Sequence, residues 1–358
     1  MILLSQIISD YKDELLDQYS GRLLPSHFKA INLMQNCRTD DSLMMKARCS
    51  ECQHEDYFPH SCGHRFCPHC QHYESQQWIE RQRKKLLPVD YFMVTFTLPE
   101  QLRPVAWSNQ SLIYDLLIKL AWQTLKTFGL NDKQLHGLIG ATAVLHTNTR
   151  SLDYHPHVHF VIPAGALDKK QNLWRKNKNT YLFNQDNLAK VYYGKWITAL
   201  KKEKLLVERT IPDNWVVKCT YVGKGDQAIT YLGKYLYRGV LPEKNIIRNE
   251  NGIVTFCYWD NKGDYHTRSL PGAKFLWLLL KHVLPRGFRR ARDYGILHPN
   301  CKRLVNLLHL ILKYIPPAKA NTTSQRAQFH CPKCGGLMDI VDVRIPKKNM
   351  TPAVIGAS

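Results

Sequence analysis

Histidine, tyrosine and cysteine carry the chemical potential of this chain. In "DYHPHVHFVIPAG", residues 153 to 165, His155, His157 and His159 fall at every second position ahead of an apolar run. Successive side chains of a β-strand leave opposite faces, so His157 and His159 share one face while Val158 and Phe160 turn to the other, where a core can take them. Two imidazoles on one face can grip a divalent ion, although they hold it loosely without a third ligand. His146 in "ATAVLHTNT" supplies that ligand if its strand pairs with the histidine strand, and His155 competes for the same place. Three imidazoles on neighbouring strands leave coordination positions open, as a catalytic metal requires. The plain alternative is a solvated strand face bearing ordinary histidines.

Downstream, "ITYLGKYLYRG" sets Tyr231 and Tyr235 four residues apart, on one face of a helix, with Lys234 beside them. Alone, such a pair usually means core aromatics. Beside a metal it means more: a phenol can attack a phosphate if the ion polarises the phosphate oxygens and Lys234 or the ion offsets the phenolate charge. The resulting phosphotyrosine ester keeps the energy of the broken phosphodiester, so a free 3′ hydroxyl can reverse the step without ATP. The sequence contains no Gly-x-x-x-x-Gly-Lys-Ser/Thr phosphate loop, and no nucleotide cofactor is expected. Two tyrosines permit two successive cleavages, hence transfer of one strand between two DNA sites.

Cys49-x-x-Cys52 and Cys67-x-x-Cys70 have the spacing of two zinc knuckles, and the four thiolates Cys49, Cys52, Cys67 and Cys70 are expected to close one structural zinc tetrahedron. Cys37, Cys62, His54, His60 and His64 lie close enough to substitute for a ligand or to build a second site. A further pair, Cys331 and Cys334, has no obvious partner knuckle nearby.

The elements that must position these residues are legible from periodicity. Helix-like spacing fills the first 35 residues, a basic helix follows the cysteines at "SQQWIERQRKKLL", and "DYFMVTFTLP" reads as a buried strand. Residues 108 to 128 form an amphipathic helix with Ser108 as its cap, followed by a hairpin of the two histidine strands and a helix over "DQAITYLGKYLYRGV". "GIVTFCYWDNKGDYHTRSL" reads as a second hairpin, and the Pro-, Lys- and Ser-bearing tail is expected to be loose. The segments divide as 1–35 (helical), 36–85 (zinc-binding), 86–245 (catalytic core), 246–325 (hairpin and basic helical region) and 326–358 (tail with one Cys-x-x-Cys knuckle).

Fifty Lys plus Arg against 29 Asp plus Glu leave a charge of +21, the balance expected of a nucleic-acid partner. A hydrophobic content of 44% excludes a disordered chain. No apolar run is long enough to span a bilayer, and the N-terminus lacks a basic region ahead of its apolar patch, so neither a membrane partner nor secretion is expected and the location is read as cytoplasmic. In "RGFRRAR", Arg286, Arg289, Arg290 and Arg292 are candidate phosphate contacts.

"HPHVHFVI" resembles the His-hydrophobe-His motif of the HUH endonuclease superfamily, and "YLGKY" resembles the paired tyrosines of its two-tyrosine branch. "CRTDDSLMMKARCSECQHEDYFPHSCGHRFCPHC", "LHTNTRSLDYHPHVH" and "HVLPRGFRRARDYGIL" occur in the order found in transposases of the insertion-sequence 91 family, over roughly residues 30 to 300. The resemblance implies an α+β fold, an HUH core of antiparallel sheet and flanking helices preceded by a zinc-ribbon-like module and N-terminal helices. It implies a bacterial, nucleoid-associated rolling-circle transposase acting on single-stranded DNA at the ends of a mobile element and at its target. Magnesium or manganese would sit at His157 and His159 with a third ligand from a neighbouring strand, placed at His146, and Tyr231 and Tyr235 would be the nucleophiles, forming a 5′-phosphotyrosine intermediate. A rolling-circle initiator or relaxase would use the same chemistry, and a zinc-dependent DNA-binding regulator would cut nothing.

Overall fold

The computed structural model describes residues 2–39, 41–179, 181–207, 209–236, 240–260, 262–315 and 328–346, without the side chains of Lys234 and Tyr235. In chain order the elements are α1 (Leu4–Tyr19), α2 (Pro25–Gln35), β1 (Met44–Cys49), β2 (Glu55–Pro59), α3 (His72–Arg83), β3 (Tyr91–Thr97), α4 (Arg103–Ser108) and α5 (Gln110–Asn131). There follow β4 (Gly140–Asn148), β5 (Tyr154–Pro163), β6 (Gly165–Asp168), β7 (Leu173–Lys176), α6 (Gln185–Lys202), β8 (Val217–Tyr221) and α7 (Asp226–Leu236). The remaining elements among the described residues are β9 (Ile246–Glu250), β10 (Ile253–Trp259), β11 (Tyr265–Pro271), α8 (Gly272–Leu280), β12 (Ala291–Gly295), α9 (Lys302–Ile311), β13 (Phe329–His330) and β14 (Leu337–Ile345). This is the mixed α+β composition, with antiparallel sheets, that the motifs imply.

The chain divides into two compact units, each assembled from separated stretches: residues 1–75, 237–283 and 319–358 in the first, and 76–236 and 284–318 in the second. The second unit is built on a five-stranded antiparallel sheet of order β12-β4-β5-β3-β8. Its strands follow a two-residue period. Val94 and Phe96 of β3, Ala143 and Leu145 of β4, and Val158 and Phe160 of β5 point to one face, where they bury against Ile113, Tyr114 and Leu117 of α5 and Tyr192 and Trp196 of α6. The alternate positions, Thr95, Thr142, His146, His157 and His159, are therefore delivered to the opposite face. α7 packs against β4.

Ser108 does not cap the long helix. It closes α4, its hydroxyl donating to the Pro104 carbonyl at 3.3 Å, and α5 begins at Gln110 behind Asn109. The preceding proline, favourable in a first turn, starts a separate short helix that periodicity alone merges with the next.

The first unit holds two further sheets, β13-β14-β1-β2 and β11-β10-β9. The expected hairpin is there as β10 and β11, paired from Ile253↔Pro271 to Trp259↔Tyr265. The tail expectation is corrected over part of its length: residues 329–330 and 337–345 are strands, and β14 pairs antiparallel with β1 through Cys49↔Met338 and Ala47↔Ile340, while residues 347–358 lie outside the described residues. Among the described residues no helix is long and apolar enough to cross a membrane.

Candidate active site and cysteine clusters

Register brings the histidines together. His146 on β4 stands opposite His157 on β5, and Val144 stands opposite His159. The ligand-capable nitrogens of His146, His157 and His159 all lie within 4.8 Å of one another, with ring centroids 4.6 to 5.4 Å apart. His155 is not in this group: its Nδ1 accepts from Arg103 Nη2 at 2.9 Å, which turns the ring to another task.

Hydrogen bonds set which nitrogens face the group. His157 Nδ1 lies 2.7 Å from the His155 carbonyl, an oxygen that can only accept, so Nδ1 carries the proton and Nε2 keeps its lone pair. His159 Nδ1 lies 2.8 Å from the Thr95 hydroxyl, and Thr95 is opposite His159 on β3. With Nδ1–H donating there, Nε2 again presents a lone pair, and it is buried with no hydrogen-bond partner among the described residues. Three neutral imidazoles converging with a lone pair to spare form a donor set that fits a divalent ion.

Burial keeps the rings neutral. It lowers His146 well below the ordinary histidine range, with the neighbouring rings and Arg290 adding to the effect. Burial takes His157 to about 4 and His159 to about 3. In the unfolded chain these rings protonate near 6.5, so between that pH and the folded values the unfolded state binds more protons. Stability is therefore intact above about pH 6.5 and is lost as pH falls toward 4 and 3. At roughly pH 4.5, His157 and His159 together cost about 5 kcal/mol. In buffer free of magnesium and manganese, the unfolding midpoint of the parent should fall steeply over this window, and His159→Gln should lose roughly 3 kcal/mol less stability. Equal pH slopes for parent and variant in denaturant titrations would remove the buried neutral ring from this account.

Tyr231 completes the group. Its ring centroid lies 6.3 Å from that of His146 and 6.3 Å from that of His159. The backbone of Lys234 and Tyr235 continues α7, but their side chains fall outside the described residues. The helix reaches this position because Gly233 lets it lie close against α3: a Cβ there would stand 2.3 Å from Ile79 Cγ1. Arg83 of α3 pairs with Asp226 of α7 at 2.6 Å. Thr95, Gly233 and Arg103 are not of the residue types, histidine and tyrosine, whose spacing marks the rest of the site. A glycine inside a helical pattern was a signal for Gly233, whereas nothing local pointed to the other two.

The four arginines divide. Arg286 and Arg289 are exposed. Arg290 Nε donates to the Leu145 carbonyl at 2.7 Å, next to His146 in sequence. Arg292 is committed to an ion pair with Asp115 and lies over the Phe288 ring, so it is a less free phosphate contact than its spacing implied.

The cysteines need a larger correction. Cys49, Cys52, Cys67 and Cys70 do not converge on one point. The structure forms two clusters, Cys37 with Cys62, Cys67 and Cys70, and Cys49 with Cys52, Cys331 and Cys334. The nearest knuckle in sequence is not the partner, because the edge of β1 left open by β2 is taken by β14, which carries the distant knuckle with it. In the first cluster the Cys37–Cys70, Cys62–Cys70 and Cys37–Cys67 sulfur distances are each 3.6 Å. Hydrogen bonds from its three neighbours pull Cys70 far below the thiol range, while Cys62 and Cys67 are pushed up. Four sulfurs crowded together in this way are what a tetrahedral cation relieves.

A family model described as "Putative transposase" matches residues 140–304, and one described as "Transposase zinc-binding domain" matches residues 7–98. The chain is 31% identical over 294 residues to "Putative transposase y4qJ" of Sinorhizobium fredii, covering 75% of this chain and 74% of that protein. It is 27% identical over 327 residues to "Transposase for insertion sequence element IS801" of Pseudomonas savastanoi pv. phaseolicola, covering 80% and 76%. No solved structure matches it. The zinc-binding match and the cysteine clusters together support structural zinc.

Proposed function

Because the chain belongs to the insertion-sequence 91 family of transposases, we propose that it nicks and rejoins single-stranded DNA through a 5′-phosphotyrosine ester, moving a mobile element by a rolling-circle route. The observation that carries this reading is the phenol-bearing ring of Tyr231 beside the three imidazoles, 6.3 Å from two of them. His146, His157 and His159 would hold the catalytic ion, and the absence of a carboxylate from that trio suits manganese better than magnesium. An ion held by these three residues would supply Lewis-acid chemistry, polarising the phosphate oxygens so that phosphorus is more open to attack.

The chain's own groups do the rest. Tyr231 Oη forms the bond to phosphorus, the 3′ oxygen leaves with the electron pair of the broken bond, and the phenolic proton passes to solvent. The free 3′ hydroxyl later attacks the ester and releases the phenol. Arg290, close enough to the imidazoles to lower the basicity of His146 and His157, offsets phosphate charge. Arg286 and Arg289 follow the DNA backbone, and Tyr235, one turn beyond Tyr231, serves the second cleavage. Cys37, Cys62, Cys67 and Cys70 hold the structural zinc.

Incubating the protein with end-labelled single-stranded element ends and manganese tests the proposal. A covalent adduct that survives denaturation is expected. Sequence-specific binding with no adduct would instead make the protein a zinc-dependent regulator that cuts nothing.

The Gly233 contact gives a test of positioning. Gly233→Ala drives a methyl into Ile79 and shifts α7, and adduct formation should drop roughly 10²-fold, as for a nucleophile displaced by about 1 Å. Adding Ile79→Ala should restore much of the rate by opening the space. A parental rate in Gly233→Ala alone would show that the close approach is not needed.

A further inference from the structure

We infer that Cys49, Cys52, Cys331 and Cys334 form a second zinc site, separate from the first, in which the metal clasps β14 to the N-terminal module. The match to the zinc-binding family ends at residue 98, so Cys331 and Cys334 lie outside it. Cys49 and Cys334 are 285 residues apart, yet their sulfurs lie 3.4 Å from each other, and those of Cys52 and Cys331 lie 3.6 Å apart. Zinc–sulfur bonds of about 2.3 Å in a tetrahedron put sulfurs roughly 3.8 Å apart. A disulfide would need about 2.05 Å, and all four cysteines are free.

The backbone is shaped for the same purpose. Gln53, directly after Cys52, has φ 61°, and Gly335, directly after Cys334, has φ 76°. The turns match: the Gln53 N–H donates to the Cys49 carbonyl at 3.2 Å and the Gly335 N–H to the Cys331 carbonyl at 2.9 Å. Gln71, directly after Cys70 in the first cluster, repeats the turn at φ 68°. A non-glycine residue in this left-handed region is strained, and a knuckle sustains that strain when its sulfurs are anchored.

Packing alone is too small to hold the strand. The core between β1 and β14 consists of buried Ala47, Cys49, Cys331 and Met338, with Phe58 and Phe329 against each other at 4.2 Å. So small a core needs a metal staple. Cys52 and Cys334 are exposed, whereas Cys37, Cys67 and Cys70 of the first cluster are buried, so the clasp should release its ion to a chelator before the first site does.

In a full-length His157→Ala parent, used throughout so that the imidazole site adds no ion, protein purified with zinc should contain two zinc ions per chain by inductively coupled plasma mass spectrometry, and the further change Cys331→Ser/Cys334→Ser should leave one. With cobalt(II) in place of zinc, Cys334→His should keep two ions per chain but shift the d–d and sulfur-to-metal bands of one of them, because one thiolate has become an imidazole. That variant retains a ligand at the exposed position and so reports on the site even if the double serine chain folds poorly. One zinc in the parent, two in the double serine variant, or an unaltered cobalt spectrum in Cys334→His would each overturn the second site. None of these readouts depends on DNA cleavage.

Discussion

Tyr231→Phe is expected to slow covalent adduct formation on single-stranded element ends by at least about 10³-fold while leaving affinity for the same DNA within about twofold. The substitution removes one oxygen and keeps the ring, so the contacts of Tyr231 with the rings of His146 and His159 survive. What is lost is the only atom on that side chain able to form a bond to phosphorus. Tyr235→Phe should behave differently: one cleavage persists, and transfer of the strand to a second site falls. Mass spectrometry of the trapped parent adduct should find DNA on the peptide containing Tyr231. An adduct of parental yield in Tyr231→Phe, mapped to any other residue, would remove the proposed nucleophile and leave the histidine group without one.

The pair of histidines was legible because strand alternation is local. Val158 and Phe160 had to be buried, so His157 and His159 had to face away from them. The third histidine was legible only as a condition, since nothing in "ATAVLHTNT" states which register β4 takes against β5. The chain answers through its fold, placing His146 opposite His157 and tying His155 to Arg103. The cysteines show the opposite case, in which a local rule misled. Cys-x-x-Cys spacing identifies a knuckle because two sulfurs must project from one turn, but a knuckle's partner is chosen by strand pairing. β14 reaches β1 from almost 300 residues away, a contact with no periodicity to announce it. Cys37 joins Cys62, Cys67 and Cys70 without being part of any Cys-x-x-Cys pair, so spacing alone could give it no more than a reserve role. Charge was legible in total, but not in its assignment: the +21 does not reveal that Arg292 is paired with Asp115 while Arg286 and Arg289 are exposed.

His157→Ala should abolish cleavage while sparing both DNA binding and the fold. His157 projects to the site face, and the residues that hold β5 in the sheet, Val158 and Phe160, belong to the opposite core. Loss of a group that merely orients a metal-binding histidine typically lowers metal affinity 10- to 100-fold, so loss of one of three ligands should cost at least about 10² in manganese affinity. Titration of manganese followed by electron paramagnetic resonance checks this directly. Thr95→Val, which removes only the hydroxyl partner of His159 Nδ1, should fall between parent and His157→Ala. Acid stability separates the metal account from simple damage to the fold. A ring whose folded pKa lies near 4 against 6.5 unfolded weakens the metal-free protein below about pH 6.5, so its removal should make that protein more resistant to acid at the same time as it abolishes cleavage. A variant less stable than the parent at both pH 7.5 and about pH 4.5 would instead assign His157 a structural role, and the three-imidazole site would lose its central member.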